Sequence, residues 1–143
     1  MIATKASRDT IDNWKEIFQQ RLNIRIVVVD PDTDDYELLL EIGAITSHLK
    51  GAINNGSKII VVRRESDQQA LKTLVHEVSH VLYQRGLLKK AVKGYKPSKK
   101  WLMNYPPEQR TEEATVESVA MWATDSFEGF NPEFLEWLNR RLL

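Results

Sequence analysis

The chain has no cysteine, which excludes a disulfide framework, thiolate metal sites, iron–sulfur ligation and a cysteine nucleophile. Any metal site must then be built from His, Asp and Glu. Neither charge is in excess: 20 Lys and Arg stand against 20 Asp and Glu, with a sequence pI near 6.8. No global field therefore concentrates nucleic acid or anionic lipid, and any such binding has to be local. No run approaches the ~18 apolar residues of a membrane helix, and residues 1–9 lack the apolar centre of a secretory signal. The expectation is a cytoplasmic protein that does not enter a membrane. Internal repeats and low-complexity linkers are missing too. What remains is 143 residues, 42% hydrophobic and 28% charged, enough for one domain over 1–143 that buries about 68–70% of its unfolded surface.

Ile11, Trp14, Phe18 and Leu22 recur at helical spacing through residues 9–22, and residues 24–29 are a β-branched run stopped by Asp30-Pro31. A helix followed by a strand is expected. Residues 32–41 are acidic around Leu38, Leu39 and Leu40 and read as a short helix. Residues 44–53 and 58–62 flank Asn54-Asn55-Gly56-Ser57, whose Asn and Gly tolerate positive φ, so a β-hairpin is expected. Ser66 with Gln69 opens a capped helix that runs to Gly86, with Leu71, Leu74, Val75, Val78 and Leu82 toward the core. Thr111 is positioned to cap a second helix to Phe127, burying Val116, Ala120, Ala123 and Phe127. Asn131-Pro132-Glu133 starts a last helix with Phe134, Leu135, Leu138 and Leu142 on its apolar face. This order of elements is α+β.

His76-Glu77-Val78-Ser79-His80 lies inside the capped helix, the His-Glu-x-x-His pattern. Histidines at i and i+4 share one face, close enough for both imidazoles to reach one tetrahedral zinc ion at ~2.0–2.1 Å. Glu77 projects about 100° around the helix from His76, beside the ion, where it can take a proton from water and later return one to a leaving amine. A surface helix with two chance histidines would have indifferent flanks. Here Leu74, Val75, Val78, Val81 and Leu82 bury the helix, and two of the chain's three histidines are spent on the pattern. A catalytic zinc needs a third protein ligand and an open position. Glu112, Glu113 and Glu117 supply carboxylates on the second helix, and Glu113 and Glu117 share a face at i, i+4. One of that pair can bind the ion while the other accepts the free N–H of a ligand histidine. Glu112 and Glu113 also suit a helix first turn, where the dipole favours acid. Glu117 sits in the apolar run Val116, Val119, Ala120, Met121, Trp122, Ala123, where a buried carboxylate needs a partner.

A hairpin leading into the His76–His80 helix, followed by a helix of form Glu-x-x-x-Glu-Ser-x-Ala, resembles the ImmA/IrrE family of zincin-like metallopeptidases and the zincin domain of ArdC-type antirestriction proteins. The resemblance spans residues 52–126 and includes Ser79, at a position this family fills with a small residue. It implies a zincin-like fold, with a small sheet and hairpin packed against the His-Glu-x-x-His helix and C-terminal helices. It also implies a gluzincin-like zinc hydrolase in which His76, His80 and Glu113 hold Zn²⁺, Glu77 is the base and Glu117 supports a ligand. The ImmA/IrrE pattern usually carries Asn at the position of Glu117, whereas the ArdC-like pattern carries Glu followed, as here, by Ser118, Val119 and Ala120. The targets in these families are proteins, among them regulators in phages and mobile elements. No helix-turn-helix or other fused targeting module is expected in the remaining sequence.

Residues 87–110 have no clean period and contain Gly94, Pro97 and Pro106-Pro107, which reads as a mobile lid over the substrate cleft rather than a packed part of the core. A basic run, Arg85, Lys89, Lys90, Lys93, Lys96, Lys99 and Lys100, is interleaved with Tyr95 and Trp101. That run is a solvated loop, a grip for an acidic peptide or a track for a phosphate backbone. The acidic run Asp30, Asp32, Asp34, Asp35, Glu37 and Glu41 is a comparable intramolecular partner for it. Tyr83, Tyr95, Tyr105 and His48 are the candidate donors to a scissile carbonyl. Trp14, Trp101, Trp122 and Trp137 read as core and rim packing. The expected function is a zinc-dependent endopeptidase acting on a protein or peptide. The alternative is a non-catalytic zincin scaffold that occupies a protein partner or single-stranded DNA through residues 89–101. A structural metal site with His48 as fourth ligand is the third reading.

Overall fold

A small mixed sheet separates two unequal apolar layers. The structure, a computed structural model, describes residues 8–46, 52–63, 66–125 and 132–142. Strand β1 (Arg25–Val29) pairs in parallel with β3 (Lys58–Val62), and β2 (Ala52–Asn54) pairs with β3 antiparallel, giving the order β1-β3-β2. Period-two alternation sorts the β-branched side chains. Ile26, Ile59 and Val61 face the larger layer, while Val29, Ile60 and Val62 face a smaller one with Tyr36 and Ile45. Helix α2 (Asp34–Glu41) covers that smaller face, entered through Thr33, whose Oγ1 accepts from the Tyr36 N–H. The acidic segment therefore forms the short helix its composition indicates. The strand expected from residue 44 is shorter: residues 44–46 are not strand, 47–51 lie outside the described residues, and pairing begins at Ala52.

The larger layer is helical. Helix α1 (Arg8–Leu22) contributes Ile11, Trp14, Phe18 and Leu22, all buried as their spacing requires. Helix α3 (Asp67–Gln84) is capped by Ser66, whose Oγ accepts from the Gln69 N–H at 3.1 Å. It ends at Gly86 with φ +75°, where the Gly86 and Leu87 N–H groups donate to the Tyr83 and Leu82 carbonyls. This is a Schellman stop, which needs the left-handed conformation glycine tolerates. Helix α5 (Arg110–Ala123) packs against α3 more extensively than any other pair of elements pack together. Fully buried Ser79 and Ser118 stand in this layer, and their hydroxyls are satisfied on the Val75 and Thr115 carbonyls. Helix α6 (Pro132–Leu142) is fastened by an aromatic cluster in which Phe134 meets Trp14, Phe18, Trp122 and Trp137 with centroids 5.6–6.2 Å apart. Asn131 and Phe127 lie outside the described residues.

Residues 87–110 depart from the expected free lid. Leu88 is 3% exposed inside the main core, Pro97 is buried, and the Val92 N–H donates to Ser118 Oγ at 2.9 Å. Ser98 caps a short helix α4 (Lys99–Leu102), and the Arg110 guanidinium returns to the Leu102 and Tyr105 carbonyls. A 3-10 turn (Pro107–Gln109), with no side-chain cap, leads into α5 in place of the Thr111 cap. The loop is a wrap with apolar anchors because aperiodic segments can still bury isolated side chains. Its anchors Leu87, Leu88 and Val92 pack on the larger layer, apart from the smaller one that α2 covers. Among the described residues no ion pair joins Lys89, Lys90, Lys93, Lys96, Lys99 or Lys100 to the acidic run. No described helix is long and apolar enough to cross a membrane.

Candidate metal centre

Helical periodicity puts His76 and His80 on one side of α3, with ring centroids 5.0 Å apart, and the α3/α5 crossing places three glutamates against them. The Glu113 carboxylate bridges the two rings: Oε2 lies 3.2 Å from His76 Nε2 and Oε1 lies 3.0 Å from His80 Nε2. Each ring's other nitrogen has its own acid. His76 Nδ1 lies 3.2 Å from Glu117 Oε1, and His80 Nδ1 lies 2.5 Å from Glu112 Oε2. Glu117 Oε2 in turn faces Lys72 Nζ at 3.8 Å. Glu117, 8% exposed, thus has the partners its burial demands. His76, His80 and Glu113 each offer a ligand atom within 4.8 Å of the others and together could hold a metal ion.

The electrostatics of the side chains in this cluster are those of mutually hydrogen-bonded ion pairs. Burial pushes the His76 imidazolium down, but the hydrogen bonds with Glu113 and Glu117 and the nearby Glu77 and Glu117 charges outweigh it and raise its pKa to about 9. His80 is raised for the same reason, burial being overcome by Glu113 and Glu112. Burial would raise Glu113, yet its bonds to His76 and His80 bring it down to about 2. Facing nitrogens and carboxylate oxygens of this kind are the donors a divalent cation takes over once the imidazoles lose their protons.

A cleft of about 320 Å³ opens on this cluster, lined by His76, Glu77 and Glu117 with Lys72, Trp101 and Tyr105 among its other walls. Trp101 stands 6.2 Å from the His76 ring and 5.0 Å from Tyr105, so of the four tryptophans this one belongs to the site and not to packing alone. Tyr105 is the tyrosine that lines the cleft. Burial, then the charges of Glu113, Glu117 and Glu77, push its phenol up to about 12, keeping it a donor at neutral pH. Tyr95 is engaged elsewhere, donating to Asp125 at 2.6 Å, and Tyr83 packs against the core. His48 lies outside the described residues. The sequence offers Glu112 as a carboxylate on the second helix and as a favourable first-turn acid, but does not assign it to a histidine. The signal that finds it is a count, since two ligand histidines have two outer nitrogens to satisfy and α5 offers three glutamates.

No family model, no curated protein and no solved structure matches the chain. Its class is therefore defined by fold and site: an α+β protein with a helix-borne His76, His80 and Glu113 group able to hold a metal ion.

Proposed function

We propose that this protein is a zinc-dependent endopeptidase of the zincin type, acting on a protein or peptide substrate. The observation that carries the reading is that Glu77, one residue after His76, lines the same cleft as His76 while the Nε2 atoms of His76 and His80 converge on Glu113. Two imidazoles and one carboxylate with no thiolate fit zinc in a site that keeps a position open. His76, His80 and Glu113 are the residues that would hold it. When bound, such an ion supplies Lewis acidity that activates water and polarises a carbonyl near neutral pH.

The chain's own groups do the rest. Glu77 accepts a proton from the attacking water and returns one to the leaving amine. Tyr105 donates a hydrogen bond to the carbonyl oxygen as negative charge develops there. Glu117 and Glu112 accept the Nδ1–H groups of His76 and His80, fixing each ring's tautomer and angle. Trp101 shields one side of the cleft from water. In support of the ImmA/IrrE-like resemblance, a hairpin leads into α3 and α5 brings Glu113 and Glu117 to it. A regulatory protein of a phage or mobile element is the substrate class the resemblance favours.

Elemental analysis of the wild-type chain should find one zinc, and His80→Ala should lose it. Glu77→Gln should keep zinc and fold while peptide hydrolysis falls about 10²–10⁴-fold. Unchanged hydrolysis in that variant would overturn the reading. The second reading, a binding scaffold for an acidic partner or single-stranded DNA, draws on the exposure of Lys89, Lys90, Lys93, Lys96, Lys99 and Lys100. Salt-dependent retention of single-stranded DNA by the zinc-loaded protein would favour it. The turn of Trp101 toward His76 weighs against it, because that ring is spent on the cleft.

A further inference from the structure

Asn54 reads in the sequence as one of four turn residues, but the turn is held by its neighbours. Asn55 Oδ1 accepts from the Ser57 and Lys58 N–H groups at 3.1 and 2.8 Å, and Gly56 takes the left-handed backbone with φ +88°. Asn54 closes β2, an edge strand of the sheet, and spends its side chain differently. Its Oδ1 accepts the Gly56 N–H at 2.9 Å, which settles the amide orientation and turns Nδ2 away from the turn. Nδ2 then donates twice to one residue of α3, to the Glu77 carbonyl at 2.9 Å and to Glu77 Oε1 at 3.2 Å. All of the hydrogen-bonding capacity of this NH₂ group is directed at Glu77. The carbonyl bond locks β2 to the backbone of α3, and the carboxylate bond restrains the side-chain torsions of Glu77. Its Oε2 has no protein partner among the described residues, and Glu77 lines the cleft.

We propose that Asn54 is the positioning residue of the Glu77 base: it holds Oε1 through its amide and leaves Oε2 as the oxygen that meets water in the cleft. The assignment deepens, and rests on, the reading of Glu77 as the general base. A base displaced by about 1 Å from its productive position loses on the order of 10²-fold in rate, so this tether acts on turnover and not on substrate capture.

Asn54→Asp tests it with little change of shape. The aspartate keeps an acceptor for the Gly56 N–H, loses both donors and sets a second carboxylate against Glu77. The zinc-loaded variant should show kcat reduced about 10–100-fold on a peptide substrate, KM within about twofold and one zinc per chain. An unchanged kcat, or a variant that loses its zinc, would overturn the proposal. A thermal-stability cycle decides the matter without activity. Asn54→Asp should lower Tm when Glu77 is present, and the loss should be smaller in the Glu77→Gln background, whose amide donates back to the aspartate, while the bond to the residue-77 carbonyl is lost in both. Additive Tm shifts would show that the two side chains do not communicate and would sink the assignment even if no peptide were cleaved. Coupled Tm shifts without any hydrolysis by the wild-type chain would uphold the tether while removing the base role it serves.

Discussion

Two helices of this protein open with carboxylates and treat them in opposite ways. On α2, Asp34, Asp35 and Glu37 fill the first turn and are exposed. On α5, Glu112 and Glu113 fill the first turn and Glu117 follows one turn on, with Glu113 and Glu117 each 8% exposed. The helix dipole favours acid at both N-termini by typically 0.3–1 kcal/mol, and for α2 that is a sufficient account. It fails for α5, where Glu113 and Glu117 are withdrawn from water and all three carboxylates are matched to named imidazole nitrogens. Acidic residues at the start of a helix thus mean surface electrostatics on one face of the sheet and a candidate ligand set on the other. Burial against α3 makes the difference.

Substitution separates the two helices. Glu113→Ala should have the largest effect, removing the carboxylate that faces both Nε2 atoms and lowering zinc affinity by more than the roughly 10–100-fold that loss of an outer partner brings. Competition with a chromophoric chelator measures this. Glu117→Gln and Glu112→Gln should each fall within that 10–100-fold band. Weaker binding in Glu117→Gln than in Glu113→Ala would exchange the two roles. Tyr105→Phe should retain zinc and lower kcat by roughly the 10²–10³-fold typical of losing one oxyanion donor. Glu37→Gln, the matching change on α2, should leave zinc affinity unaltered and shift stability by no more than about 0.5 kcal/mol in urea unfolding.

The pH dependence of the metal-free protein sharpens the same contrast. His76 is raised from 6.5 to about 9, so its contribution to stability is complete below pH 6.5 and lost as pH rises through 9. Glu113 is lowered from 4.5 to about 2, so its contribution is present above pH 4.5 and lost as pH falls toward 2. Tm of the chelator-treated protein should therefore be highest between these limits, and Glu113→Gln should flatten the profile. Because His76 holds a proton at neutral pH, zinc must displace it. Affinity should rise with pH up to about 9, by about tenfold per unit for each proton released, and calorimetry in buffers of different ionisation enthalpy counts those protons. A pH-independent affinity would mean that the ion binds elsewhere.

Helix α3 was the most legible part of the chain. Its Ser66 cap, Gly86 stop and buried stripe follow from neighbours three to five positions apart, and the same periodicity sets His76 beside His80. The α1 stripe was equally plain, since Ile11, Trp14, Phe18 and Leu22 report one face by spacing alone. The parallel pairing of β1 with β3 was not legible. It joins Arg25 to Lys58 across the whole of α2 and β2, and a β-branched run carries no mark of its partner. Residues 87–110 misled for a related reason. Their aperiodic pattern concealed Leu88 as a core residue and Trp101 as a wall of the cleft, since burial of single side chains leaves no period to read.

What the sequence determined by itself was a helix presenting two imidazoles and an acid in fixed angular relation, because α-helical geometry makes i, i+1 and i+4 a local matter. Only the tertiary structure decided which acid meets which nitrogen. Glu112, Glu113 and Glu117 lie 32 to 41 residues along the chain from the histidines they face. Likewise Asn54 reaches Glu77 across 23 residues, from a different element of the fold. A rotation of α5 by one residue, about 100°, would point a different glutamate at the two Nε2 atoms without altering any local pattern. The packing of Val116, Val119, Ala120 and Ala123 into the core they share with α3 holds that rotation in place.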